Sequence, residues 1–362
     1  MKIGIIGLPQ SGKSTVFKAV CPHHQESHIG AAKMEVRRGI VKVPDERLWE
    51  LEKIYQPEKV TQAEIEFMDV AGVSGKSDRA SRSEKDIPPA LREPEVLAHV
   101  VRYFKDEIVM HPDGSVDPAR DIENVESELI FSDLLTTESR LERIERQARL
   151  ANDEKAKREV AVLHKVKTHL EDEKPLRELE LSADEAKTIK GFQFLSRKPK
   201  LIILNIGEDD IPDRQEIETE FRQKFEGREV GLTSICARIQ AELIDLDEDD
   251  REEFMQDLGL SESALDQMIR KSFDLLGLIT YFTGGEKEVR AWTVHKGAKS
   301  PEAAGVIHKD FEKGFIKAEI YSYDKLIEYG SEAEAKKHGA LRIEGKDYIF
   351  RDGDTVLFRF NV

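Results

Sequence analysis

The octapeptide GLPQSGKS at residues 7–14 constrains this chain more than any other stretch. It satisfies G-x-x-x-x-G-K-[ST]. It stands between the apolar pentapeptide KIGII at residues 2–6 and a helix-like run at residues 15–20, in which Val16, Phe17 and Val20 are apolar. Strand, glycine loop and helix in that order are the context a phosphate-binding loop requires. Gly7 and Gly12 carry no Cβ, so the backbone can wrap closely around an anion. Loop N–H groups and the helix N-terminus then face the phosphates. In this arrangement Lys13 reaches the β- and γ-phosphates and stabilises charge there, and the Ser14 hydroxyl serves Mg2+. Pro9, Gln10, Ser11 and Thr15 complete the expected nucleotide-binding loop.

A second signature follows at the expected distance. Residues 64–68 read as a strand that ends in Asp69-Val70-Ala71-Gly72. D-x-x-G is weak alone, but it gains meaning at a strand end fifty-five residues after Ser14. There Asp69 joins the Mg2+ shell, and Gly72 offers its N–H to the γ-phosphate as a catalytic contact. Gly75-Lys76-Ser77 repeats G-K-S, but Val70 stands where the leading glycine belongs, so this stretch reads as loop. Residues 74–93 are polar and carry Pro88-Pro89, and read as the segment beside the γ-phosphate.

The base side comes from later in the chain. KLIIL at residues 200–204 reads as a buried parallel strand delivering Asn205-Ile206-Gly207-Glu208 at its end, where open α/β sheets bind ligands. A further strand at residues 229–233 precedes Ser234-Ile235-Cys236-Ala237. Asn205, Ile206, Glu208, Ser234 and Cys236 are therefore the expected base-binding residues. Guanine-specific GTPases use N-K-x-D, whose Asp accepts both guanine N–H groups. Here Glu208 is one methylene longer than that Asp, and the lysine over the base is missing. An Asn amide matches the N6 and N7 edge of adenine. ATP is thus the expected ligand, with GTP second.

Between these halves lies a different pattern. Residues 125–151 carry Leu134, Leu141 and Ala148 seven apart with Ile144 between them, and Val160, Leu163 and Leu170 repeat a similar stripe after a turn at Asn152-Asp153. This predicts two antiparallel helices in a coiled-coil hairpin, inserted into the sheet domain. Residues 96–104, VLAHVVRYF, read as a buried strand containing a structural histidine, His99. Further strands are expected at 38–43, 279–282, 289–294, 316–321 and 355–361. Helices are expected at 45–54, 183–195, 251–277 and 300–307. Domain limits follow: a nucleotide-binding domain at 1–123 and 192–277, the hairpin at 124–191, and a small α+β domain at 278–362.

Composition sets outer bounds. The net charge of −16 over 362 residues argues against a whole surface made for nucleic acid, although a local basic face is compatible with it. No run approaches the ~18 apolar residues of a membrane span. The chain enters a strand at residue 2, which leaves no place for a signal peptide, and Cys21 and Cys236 are far apart; a reduced, cytoplasmic protein is expected. The Cys21, His23, His24 and His28 cluster meets no standard zinc spacing and reads as polar loop.

Taken together, GLPQSGKST, DVAG, N-x-x-E, the inserted hairpin and the C-terminal runs LITYFTGGEKEVRAW, KSPEAAGVIHKDFEKGFIKAE and EGKDYIFRDGDTVLFRFNV resemble the YchF/Obg-like ATPase family over essentially the whole chain. The resemblance implies an α/β P-loop NTPase G-domain, an inserted α-helical coiled-coil hairpin and a C-terminal α+β β-grasp (TGS) domain. It also implies slow Mg2+-dependent hydrolysis of ATP, with GTP as an alternative, and association with ribosomes or RNA through the TGS domain and hairpin. Three positions depart from the family pattern. Gln10-Ser11 replace Asn-Val in the loop, Lys33 aligns with the switch Thr that completes the Mg2+ shell, and residues 73–89 replace a glycine-rich segment. Val73, as in the family, stands where many GTPases place a water-orienting Gln. A weak or partner-dependent ATPase follows from these. The rival expectations are a non-hydrolysing nucleotide switch, and an RNA or ribosome adaptor using a basic patch at Lys309, Lys313 and Lys317.

Overall fold

The computed structural model describes residues 1–22, 36–70, 89–151, 153–260 and 262–361. The chain divides into two compact units, Met1–Val41 with Glu66–Ser272, and Lys42–Ile65 with Phe273–Val362. Residues 42–65, expected within the nucleotide-binding domain, thus belong to the unit built mainly from the C-terminal third.

The first unit is an α/β sheet domain. Its strands are β1 (Lys2–Ile6), β2 (Val36–Lys42), β4 (Glu64–Val70), β5 (Val96–Arg102), β6 (Lys200–Asn205) and β7 (Val230–Ile235), in the order β2-β4-β1-β5-β6-β7. The run β4-β1-β5-β6-β7 is parallel, with Ile5 opposite Asp69, Ile6 opposite His99 and Asn205 opposite Ile235. The parallel central strands are covered on both faces, which explains why KLIIL and VLAHVV are almost continuously apolar. Helix α1 (Lys13–Val20) buries Val16, Phe17 and Val20. Two apolar clusters flank the sheet, one around Ile6, Leu8, Met68 and Leu97, the other around Val101, Ile202, Leu204 and Phe221.

The hairpin is present as α3 (Pro118–Ala151) and α4 (Glu154–Glu171), capped at its turn by the Asp153 carboxylate on the N–H groups of Lys155 and Ala156. Its seam buries Leu141, Ile144, Leu163, Val166 and Leu170. At the base, Glu126 of α3 bonds Arg177 at 2.6 Å and also pairs with the buried Lys200. Burial works against the Glu126 carboxylate, but Lys200 and Arg177 together hold it below its ordinary range. One turn pair further on, Asp133 is fully buried and accepts from Leu195 N at 2.9 Å, Ser196 N at 2.7 Å and Ser196 Oγ at 2.7 Å. Glu126 thus fastens the hairpin to β6, the strand that delivers Asn205, and Asp133 fastens it to the segment just before that strand.

Several element limits differ from expectation, each for a local reason. Strand β5 stops at Arg102 rather than 104, because the Arg102 guanidinium folds over the next loop and donates to the carbonyls of Phe104, Asp106 and Val109. The helix expected at 183–195 ends as α5 (Ala183–Ile189), followed by a tight turn to Phe192, and Gln193 then takes a left-handed conformation. The helical stretch expected at 251–277 is two helices, α8 (Glu248–Asp257), N-capped by Asp247, and α9 (Ala264–Leu276), with Gly259 at φ 63° between them. Helices α6 (Arg214–Lys224) and α7 (Ala237–Glu242) complete the unit.

The second unit is a mixed sheet in the order β11-β10-β12-β8-β9-β3. Its strands are β3 (Val60–Thr61), β8 (Leu278–Thr283), β9 (Val289–His295), β10 (Phe315–Ser322), β11 (Arg342–Glu344) and β12 (Asp354–Phe360). One face packs on α10 (Ser300–Ile307), with Tyr281, Phe350, Phe358 and Ile320 in the core. Short helices α11 (Lys309–Lys313), α12 (Tyr323–Tyr329) and α13 (Glu332–Lys337) were not expected from the sequence. Neither was β3, which pairs in parallel with β9. Helix α2 (Glu46–Tyr55) buries Leu48 and Leu51 here, and its Arg47 bonds Asp352 at 2.6 Å and lies over the Phe282 ring.

Candidate functional site

The loop from Gly7 to Ser14 follows β1 without a break and turns directly into α1. Gly7 and Gly12 sit at φ 147° and 92°, values that an L side chain strains to adopt. Space demands glycine as well. A Cβ on Gly7 would lie 2.3 Å from the Val100 carbonyl oxygen, and one on Gly12 would lie 2.1 Å from Asn205 Nδ2. Gln10 is also left-handed, at φ 62°, without glycine's freedom. Pro9 and Gln10 are exposed, Ser11 is buried, Gly12 is half-buried, and Ser14 and Thr15 lead the helix.

Lys13 is largely buried, and its ammonium donates to the Leu8 carbonyl at 2.6 Å. Burial pushes its pKa down to about 8, with Asp69 resisting the change. The loop therefore closes on its own lysine, and the charge is held where a phosphate oxygen would satisfy it better. Ser14 Oγ donates to Asp69 Oδ2 at 3.4 Å, bringing the two expected metal-shell residues side by side. Burial raises the Asp69 pKa, against the pull of Lys13, Arg37 and Ser14. A hydroxyl and a buried carboxylate are hard oxygen donors, and the pair suits Mg2+, which takes one or two protein oxygens and completes its shell with water and phosphate. Gly72, Val73 and Lys33 lie outside the described residues, as do His23, His24 and His28.

Asn205 emerges from β6 beneath this loop, 4 % exposed. Its Nδ2 donates to the Ser11 carbonyl at 3.0 Å, and its Oδ1 accepts from Ala237 N at 3.1 Å. One side chain thus ties the phosphate loop to the loop after β7. Among the described residues each of its polar atoms has one partner, which leaves a proton on nitrogen and a lone pair on oxygen. Ile206 is buried, its N–H donating to the Ile235 carbonyl at 3.0 Å, and Glu208 is exposed. Cys236 is buried and N-caps α7. Ser234 is 5 % exposed, and both its N–H and its hydroxyl donate to Glu218 Oε1 at 2.8 Å, so it holds the loop rather than presenting polar groups outward.

One residue near the site was not singled out by the sequence. The half-buried Phe104 lies 4.0 Å from the place of a Cβ on Gly12 and 3.8 Å from one on Gly207, backed by the Arg102 guanidinium 4.5 Å from its ring centroid. An aromatic face here borders both the phosphate loop and the N-x-x-E loop. Nothing in the sequence distinguishes it from a core residue ending a strand. His99, by contrast, is a buried histidine as expected. It is fully enclosed, and burial, with Lys200 and Lys13 adding to it, lowers its pKa well below the usual value. Of the expected basic patch, Lys309 and Lys313 are exposed, whereas Lys317 pairs with Glu319 at 2.9 Å. Among the described residues no helix is long and apolar enough to cross a membrane.

Comparison with known proteins gives consistent results. Residues 2–165 match a domain model described as 50S ribosome-binding GTPase. Residues 278–361 match the YchF-GTPase C-terminal model, described as a protein of unknown function (DUF933). The chain is 40 % identical to the Bacillus subtilis (strain 168) protein named Ribosome-binding ATPase YchF, covering 99 % of each chain. It is 41 % identical to the protein of that name in Escherichia coli O157:H7, over 100 % of this chain and 99 % of the other. Among solved structures, that of the Schizosaccharomyces pombe YchF GTPase superposes with a TM-score of 0.81 at 30 % identity, covering 99 % of this chain and 97 % of the other.

Proposed function

This chain belongs to the YchF family, and from that premise we propose that it binds ATP in preference to GTP and hydrolyses it slowly in a cytoplasmic, ribosome-associated role. The observation that carries the reading is the alignment of Lys13, Ser14 and Asp69 around one loop, with Asn205 fastened to the same loop. Lys13 exchanges its bond to Leu8 for a phosphate oxygen and neutralises charge that grows on the β–γ bridge. The loop amides orient the phosphate chain. Ser14 and Asp69 hold Mg2+, which supplies further charge neutralisation when bound. Gly72 contacts the γ-phosphate.

On the base side, the spare Asn205 proton suits adenine N7, and its spare lone pair suits the N6 amino group. Guanine presents O6 in place of that amino group and would meet oxygen with oxygen. Phe104 supplies an apolar face for the ring. The exposed Glu208 carries no lysine partner over the base, which keeps GTP as a second substrate rather than the first. Hydrolysis is slow because Val73 is apolar and cannot orient water, and Lys33 cannot ligate Mg2+ while protonated. A ribosome-dependent group is then the source of faster turnover.

Phosphate release from ATP and from GTP, each with and without ribosomes, tests the proposal. ATP is expected to be the better substrate, Lys13→Ala to abolish release, and ribosomes to stimulate it. A clear preference for GTP would overturn the base assignment. Release unchanged in Lys13→Ala would place the chemistry elsewhere.

A further inference from the structure

Among the described residues strand β7 is the edge of its sheet, pairing with β6 on one side only. Its last residues, Ser234 and Ile235, with Cys236 and Ala237 after them, form the far wall of the base site proposed above. Backbone pairing holds the strand to β6 as far as Ile235, so on its open side only side chains can hold it in place.

Two clamps do so, one from each face of the strand. On the first face, Ser234 N–H and Ser234 Oγ–H both donate to Glu218 Oε1 at 2.8 Å. The other carboxylate oxygen of Glu218 accepts from Arg222, one turn along α6, at 2.7 Å. Helix α6 is itself anchored on the sheet through the buried Ile217 and Phe221. On the opposite face, the Thr233 hydroxyl donates to Gln267 Oε1 of α9 at 3.0 Å. Beyond the clamps, the loop meets Asn205 through Ala237 N. Glu218 is separated from Ser234 by sixteen residues and touches neither the phosphate loop nor the Ser14–Asp69 pair in any bond described above.

We propose that Glu218 is a specificity-determining positioning residue: by holding Ser234 it fixes the distance between the loop at 234–237 and Asn205, and so sets how tightly the base is gripped. The proposal rests on the base site described under Proposed function. Phosphate binding does not depend on this clamp, because Lys13 and the loop amides are built on β1 and α1. Removing the carboxylate frees two donors on an edge strand, lets the loop move away from Asn205, and weakens the base-dependent part of affinity alone.

The test is calorimetric titration of Mg-ATP, Mg-GTP and Mg-tripolyphosphate into the full-length protein and two variants. Glu218→Ala is expected to weaken ATP about tenfold, the equivalent of one to two lost hydrogen bonds, and to narrow the ATP-to-GTP ratio. Tripolyphosphate affinity stays at the wild-type value. Glu218→Gln keeps an acceptor oxygen toward Ser234 and restores ATP affinity to within about twofold of the wild type. Equal losses for ATP and tripolyphosphate would overturn the proposal by showing that the residue only supports the fold. Unchanged ATP affinity in Glu218→Ala would overturn it directly. A wild type that binds ATP no more tightly than tripolyphosphate would instead remove the base site itself, and the proposal with it.

Discussion

Lys13 and Leu8 are joined by a 2.6 Å hydrogen bond from ammonium to carbonyl, which seals the phosphate loop around its own cation. The lysine is part-buried there, and burial lowers its pKa to about 8. Between pH 8 and its ordinary value near 10.5, the folded protein therefore holds fewer protons at this site than the unfolded chain. The sign is definite: this group makes the empty protein more stable as pH rises through that window. Nucleotide binding runs the other way, because phosphate needs the charged form. ATP affinity should fall above pH 8, by up to about tenfold per pH unit for a single proton. Titrations at pH 7, 8 and 9 with wild type and Lys13→Met check this, and a wild-type affinity flat across the series would contradict it.

Gln10 occupies the left-handed region at φ 62°, where a side chain strains the backbone. Gln10→Gly should stabilise the empty protein by about 0.5–1 kcal/mol in denaturant unfolding, the strain relieved exceeding the flexibility added to the unfolded chain. Destabilisation of that size would mean that the exposed Gln10 side chain holds the loop through contacts that outweigh the strain.

Asp133 is fully enclosed, and burial raises its pKa to about 6 despite the three donors from Leu195 and Ser196. A folded-state value above the ordinary 3.8 of an aspartate means that the native protein takes up a proton first as pH falls. This carboxylate therefore reduces stability progressively as pH rises from about 4 to 6, and by a constant amount above. The stability difference between wild type and Asp133→Asn should slope over that window and be level above it. A difference independent of pH would show that the group does not titrate there.

Arg47 and Asp352 lie 305 positions apart in the chain and 2.6 Å apart in the second unit. Alongside them Leu48 and Leu51 are fully buried, Tyr55 bonds Glu332 at 2.6 Å, and Thr61 bonds Glu288 at 2.6 Å. The C-terminal segment alone is therefore an incomplete fold. A fragment of residues 278–362 should show poor amide dispersion in NMR spectra, and a peptide of residues 42–65 should restore it. In the full chain Leu48→Ala should cost about 2–5 kcal/mol. A well-dispersed spectrum from the fragment by itself would refute this.

Contiguous chemistry was legible in the sequence. The phosphate loop needs small residues, a lysine and a hydroxyl at fixed offsets within one turn of chain, and residues 7–14 contain them in order. The strand-end positions of Asp69 and Asn205 were legible for a related reason, since each follows an apolar run. The hairpin and its insertion followed from helical periodicity between strands of one sheet. The element errors were mostly of extent: Arg102 ends β5 by reaching three carbonyls beyond it, and the 251–277 helix breaks at a left-handed Gly259.

What only the tertiary structure decided is where distant side chains meet. Ser234 had the right position for a base contact, but Glu218 of α6 takes both its donors. Phe104 looked like strand core until the chain brought it beside Gly12 and Gly207. Residues 42–65 had no pattern marking them as part of the second unit, because burial of Leu48 and pairing of Val60 with Val289 depend on a surface made more than two hundred residues later. The loop at residues 7–14 is set by local backbone chemistry, so its sequence suffices. The placing of Asn205 against that loop and of Ser234 against Glu218 is set by long-range packing, whose energy belongs to pairs of residues that no single stretch of sequence contains.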